Sequence, residues 1–154
     1  VSSNRFPSSP NPLIRAHYSN ATGTSAANNT VTTVPINAID FQTDPGFSIG
    51  LSAVVLPYTG VYRMHGLVKW ATSADQKERL ARITNNTSSV VMGQTEVGGN
   101  NVVAATEVSA IWVCNAADTV ILQGRQQSGA GLNIIGGSDG SASWIYVEFL
   151  GIVP

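Results

Sequence analysis

Ser143-Trp144-Ile145-Tyr146-Val147-Glu148-Phe149-Leu150-Gly151 is apolar on both of its alternating faces. Side chains alternate across a strand, so Trp144, Tyr146 and Leu150 point one way and Ile145, Val147 and Phe149 the other. An antiparallel strand ordinarily turns one face to the core and one to water, so a two-sided strand needs a second cover. In a chain of 154 residues the expected cover is another copy of the chain. Val108 to Cys114 repeats the pattern, with Trp112 opposing Ile111 and Val113, so two such strands can share one interface. Gln123 and Arg125 instead alternate with Leu122 and Gly124, the pattern of a sheet wetted on one side.

One domain of this length buries roughly 68–70% of the surface its unfolded chain exposes, so no disulfide or metal staple is required. Apolar residues make up 43% of the chain and charged residues only 11%, against a usual ~25%. Asn, Thr, Ser, Gln and Gly replace the missing charge, and such surfaces suit contacts between subunits. The net charge is −1, with Lys and Arg scattered singly. The electrostatic footprint of a nucleic-acid or anionic-membrane binder is therefore absent, which disfavours genome packaging. Cys114, the single cysteine, sits in the apolar run Ile111-Trp112-Val113-Cys114 and reads as a small buried hydrophobe. No apolar stretch approaches the ~20 residues of a membrane span. The N-terminus shows no basic and apolar leader, so a soluble chain is expected. Val1 is equally compatible with loss of an initiator Met, trimming or processing of a precursor.

Residues 1–13 hold Pro7, Pro10 and Pro12 among Ser and Asn, a composition that favours an extended arm. From Ile14 onward, β-branched and aromatic runs are punctuated by Gly, Asn, Asp and Pro, as in an all-β sandwich. Ten strands are expected: 14–19, 30–34, 38–41, 52–56, 60–70, 79–85, 89–97, 102–114, 119–126 and 143–152. Asn85-Asn86, Gly98-Gly99-Asn100 and Asn115-Ala116-Ala117-Asp118 read as hairpin connections, and Asp44-Pro45-Gly46 as a tight turn. Gly136 to Gly140 reads as a loop tip, and Ser73 to Arg79 as a polar, solvent-exposed connection or a single turn. No repeat or coiled-coil heptad supplies a stalk.

Three segments, in order, resemble the C1q/TNF-like jelly roll, which also occurs in bacteriophage virion proteins. Pro57-Tyr58-Thr59-Gly60-Val61-Tyr62 looks like the family's Pro-x-x-Gly-x-Tyr turn into a long central strand. Asn115-Ala116-Ala117-Asp118 followed by Thr119-Val120-Ile121-Leu122 is similar to its turn before the penultimate strand, with Ala117 in place of the usual glycine. Trp144 to Gly151 resembles its final strand, central in the inner sheet and touching both core and trimer axis. Arg15 to Tyr18, Asn28 to Thr30 and Ile39 to Phe41 are like the opening strands of phage-borne versions. The resemblance spans about residues 14–152 and implies a ten-stranded antiparallel jelly-roll sandwich, the domain of residues 14–154, and a homotrimer; the 1–13 arm lies outside it. Trp112, Ile145, Tyr146, Val147 and Phe149 are the candidate interface residues.

Catalytic chemistry has little support in this sequence. His17 and His65 fall on separate strands without a neighbouring Asp, Glu or Cys pattern, and His65 reads as an exposed or interface residue. No Cys/His metal spacing, acidic calcium loop or Gly-x-Ser-x-Gly elbow is present. Gly129-Ala130-Gly131 lacks the strand-to-helix setting of a phosphate cradle. Glycosylation acceptors at Asn20, Asn28, Asn85 and Asn86 are a chance expectation in so Asn- and Thr-rich a chain, unmodified in a phage protein. The expectation is a non-enzyme with no cofactor and no metal.

Two roles follow. The first is a homotrimeric capsid decoration or cement protein on a phage head. Its arm residues Arg5, Phe6, Pro7, Pro10 and Pro12 would grip the major capsid protein. The short arm and the absence of a shaft favour this role. The second is a receptor-binding knob of a tail fibre or adhesin, recognising a host surface glycan through loops such as Gly136 to Gly140. Neither role involves nucleic acid or a membrane.

Overall fold

The computed structural model describes residues 13–72, 77–98, 105–137 and 142–153. The described residues form thirteen strands: β1 Arg15–Ser19, β2 Thr24–Ala26, β3 Thr32–Thr33, β4 Ala38–Gln42, β5 Ser48–Gly50, β6 Ala53–Val55, β7 Gly60–Lys69, β8 Arg79–Asn85, β9 Val90–Val97, β10 Ala105–Cys114, β11 Thr119–Gln126, β12 Leu132–Ile134 and β13 Trp144–Gly151. They form two facing antiparallel sheets. One runs β10-β7-β13-β1-β4 and the other β5-β6-β11-β8-β9 with β3 beside β11, while β2 and β12 pair as a small third sheet. Among the described residues there is no helix, and so none long and apolar enough to cross a membrane.

The long strands form because their alternation matches a sandwich. In β7, Tyr62, Met64 and Val68 turn inward and are fully buried, while Arg63, His65 and Lys69 turn outward. Ile83 of β8 and Leu122 of β11 meet them from the opposite sheet, and Ile145 and Val147 of the neighbouring β13 join them from their own sheet. Where the two sheets meet at one side, β9 and β10 approach so closely that a side chain at Gly93 would collide with the Ser109 carbonyl and the Ala110 methyl. Gln123 and Arg125 are partly exposed on β11, as the one-sided pattern requires.

Several expectations change. Arg79 opens β8 and is 1% exposed, not part of an exposed connection. Its guanidinium lies 6.0 Å from the Trp70 ring and donates to the Lys77 and Glu78 carbonyls. Residues 73–76, 102–104 and 138–141, which hold parts of the expected connection, of the expected strand 102–114 and of the expected loop tip, lie outside the described residues. So do Gly99 and Asn100 of an expected hairpin connection. Three strands of three residues each, β2, β5 and β12, join the ten expected. Ala117 adopts φ 67°, the left-handed conformation that glycine ordinarily takes. Asn20 and Asn85 are buried, which removes two of the four glycosylation matches from the surface.

Candidate oligomer interface

The outward side of the five-stranded sheet is built from alternate residues of five strands in register. One row across it runs Phe41, His17, Tyr146, His65 and Ser109. On one side of that row stand Ser19, Trp144, Leu67 and Glu107, and on the other Arg15, Glu148, Arg63 and Ile111, with Val61 beside Val113 beyond them.

A bulge in the β1–β4 pairing shapes the first end of this face. Tyr18 pairs with Ile39 and His17 with Phe41, leaving Asp40 as the extra residue. Bulges re-aim side chains, and here both Asp40 and Phe41 reach His17. The His17 Nδ1 lies 2.7 Å from Asp40 Oδ2, and its ring stacks on Phe41 at 5.9 Å. Trp144 lies between the two histidines, its ring 5.1 Å from His17 and 5.1 Å, edge-on, from His65. His65 in turn lies 3.6 Å from Glu107. The two histidines thus share one face, each beside a carboxylate, a juxtaposition that strand spacing did not disclose. The Ser19 hydroxyl donates to Asp40 at 2.9 Å. The carboxylate therefore sits between serine and imidazole, the wrong order for a nucleophile whose proton the imidazole takes.

The other end is aliphatic. Ile111 and Val113 are 61% and 55% exposed and flank a shallow hollow of about 440 Å³ with Val61 and Trp112. Single exposed apolar side chains are ordinary, but a contiguous group marks a contact surface. Between the two ends, Arg63 and Glu148 pair at 3.5 Å. Elsewhere, a polar groove of about 360 Å³ runs between Thr22 to Ser25 and Asn133 to Gly136.

The candidate interface residues separate. Tyr146 is on the outward face, half-buried among its neighbours. Trp112 lies on the inward side of β10 yet is 41% exposed, because β10 is the outermost strand of its sheet. Phe149 caps one end of the core, 5.4 Å from the Tyr58 ring and 5.2 Å from that of Tyr62. Ile145 and Val147 are corrected: both are 0% exposed within one protomer, inside the sandwich where no second copy reaches them. The arm candidates Arg5, Phe6, Pro7, Pro10 and Pro12 lie outside the described residues. Phe41, His17 and Trp144 were missed as candidate residues of this face, the first two because the bulge that gathers them leaves no periodic trace.

No family model and no curated protein matches the sequence. Solved structures do resemble the fold. Eiger TNF from S. frugiperda superposes with a TM-score of 0.64 at 15% identity, covering 93% of this chain and 96% of the other. Murine APRIL at pH 5.0 gives 0.66 at 13% identity, covering 90% and 99%. The PRD1 vertex protein P5 gives 0.65 at 17% identity, covering 90% and 96%. Taken with the strand order and the two facing sheets, these likenesses show that the chain is, in fold, a jelly-roll domain of the TNF/C1q-like type.

Proposed function

We propose that the chain is a non-enzymatic structural protein of a virion surface, a homotrimer that decorates a phage head and contacts the major capsid protein through residues 1–13. The observation that carries this reading is the unpartnered outward face of the five-stranded sheet. Its aromatic end, at Phe41, Trp144 and Tyr146, differs from its aliphatic end, at Ile111, Val113 and Val61. Two different patches on one molecule favour head-to-tail contacts that close into a ring, not a two-fold contact of a patch with itself. Arg15, Arg63 and Lys69 are matched by Asp40, Glu107 and Glu148 on the same face, so copies meet without net repulsion. Likeness in fold to a vertex protein supports the virion setting. The chain enters β1 held by Thr43, whose hydroxyl donates to the Leu13 carbonyl and accepts from the Arg15 amide.

Light scattering and cosedimentation with purified phage capsids test the reading. The expected result is a trimer that cosediments, and a variant lacking residues 1–13 that stays trimeric but no longer binds. Undiminished capsid binding by the truncated trimer overturns the role of the arm.

A second reading, a receptor-binding knob of a tail fibre or adhesin, is favoured by the polar groove. There Ser25 and Asn133 are exposed register partners on adjacent strands, offering a hydroxyl and an amide to a host glycan. This reading predicts cell binding by the isolated trimer and its loss in Asn133→Ala.

A further inference from the structure

The face assigned above to the oligomer seam carries two imidazoles per copy, and we infer that assembly through it is acid-labile, the trimer dissociating as His17 and His65 take up protons. The inference rests on the trimer reading and adds a regulatory device to it. Histidine is the side chain whose ordinary charge change falls between pH 5 and 8. In the free protomer both rings reach solvent, with side-chain exposures of 26% for His17 and 42% for His65. A copy seated on the face removes that water, and burial disfavours a charged group.

The surroundings decide whether the added charge is tolerated. Around His17 stand Arg15 on its own strand, Asp40 from β4, and Tyr146 and Glu148 from β13. Around His65 stand Arg63 and Lys69 on its own strand, Tyr146 and Glu148 from β13, and Glu107 from β10. Glu96 of the adjoining β9 is drawn away to Arg125 of β11 within its own sheet, at 2.6 Å. Contacts to Asp40, Glu107 and the aromatic rings exist in free and assembled protomers alike. They therefore do not themselves favour separation. What differs on assembly is the lost water and the approach of other copies. Three cations and three carboxylates bring the other charges of the face to zero, so two protonated histidines per protomer give a three-fold seam a net charge of +6 that is absent when they are neutral. The free protomer therefore binds protons better than the trimer, and by linkage assembly weakens as pH falls.

Sedimentation velocity over a concentration series at pH 8.0 and 5.5, with near-ultraviolet circular dichroism to verify the fold, tests this. The protomer concentration at half-assembly is expected to rise at least about tenfold at pH 5.5 with the fold retained, one factor of ten corresponding to a single unit of pKa difference. The double variant His17→Gln, His65→Gln is expected to lose most of that dependence. In the wild-type chain, the imidazole C2 protons should titrate at lower pH in a concentrated, trimeric sample than in a dilute one. Equal assembly at both pH values, equal titration midpoints, or undiminished acid dissociation in the double variant overturns the inference and leaves the trimer standing. A monomer at pH 8.0 across the whole series overturns the trimer reading itself.

Discussion

The Tyr62 hydroxyl clips the turn that leads into β7, donating to the Tyr58 carbonyl at 2.8 Å and accepting from the Tyr58 amide at 3.0 Å. This is the physical content of the Pro-x-x-Gly-x-Tyr pattern: a fully buried ring whose one polar atom ties down both backbone groups of a residue four positions earlier. Tyr62→Phe keeps the ring and removes both bonds. It should cost about 1–3 kcal/mol, the range for leaving partly buried polar groups unpaired, seen as a lower urea midpoint with an unchanged slope.

Gly60, two residues before Tyr62, is a glycine for want of room. A Cβ there would sit 2.6 Å from Phe149 Cε2 and collide with the Gly151 carbonyl. Backbone of the central strand β13 cannot yield as the tip of a flexible side chain would. Gly60→Ala is expected to lose about 3 kcal/mol, the upper end of the usual overpacking cost. A thermal melt within error of wild type would contradict this packing.

Ala117 presents the opposite case. Its φ of 67° places an L-residue in the left-handed region, which costs a side-chain-bearing residue roughly 1–2 kcal/mol. Glycine gives back part of that gain through its freer unfolded chain. Ala117→Gly should therefore stabilise the domain by about 0.5–1 kcal/mol, measurable as a raised urea midpoint.

The long strands were legible because their alternation is strong: β7, β8, β11 and β13 fall within a residue or so of where periodicity places them. Strands β2, β5 and β12 were not, since three residues are too few to display a period. Alternation also showed that β13 has two apolar faces without showing which one is inside. Ile145 and Val147 proved to face the second sheet, and Trp144 and Tyr146 the outward side. The choice depends on where the partner sheet lies, which is a property of the whole chain. His17, Asp40 and Phe41 come together through one extra residue in β4, a local shift of register that residue types alone do not specify.

Alkaline pH should destabilise the protomer. Burial pushes the Tyr18 and Tyr62 hydroxyls from an ordinary 10.0 up to about 12. Burial first, and the Asp118 carboxylate second, push the Cys114 thiol from 9.0 up to about 11. Each folded group keeps its proton at a pH where the unfolded chain has released it. Stability is thus complete below about pH 9 and falls as pH rises toward 12. Urea midpoints at pH 8, 9.5 and 11 should decline, and Tyr18→Phe should flatten the decline. A midpoint that holds constant through pH 11 would contradict it.

A matched pair of aspartate substitutions separates core from seam. Val147 is 0% exposed and pairs with the equally buried Met64 across β13 and β7, so Val147→Asp puts an unpaired carboxylate into the sandwich. A buried unpaired charge costs several kcal/mol or forces the group to stay protonated, and the protomer is expected to unfold. Ile111 is 61% exposed on the outward side of β10, where substitution in a free protomer should change stability by less than about 0.5 kcal/mol. In the trimer the same carboxylate, repeated in every copy, falls within the aliphatic end of the seam beside Val61 and Val113. Ile111→Asp should therefore give a folded monomer by sedimentation velocity and circular dichroism. A trimer of undiminished stability would move the seam off this face.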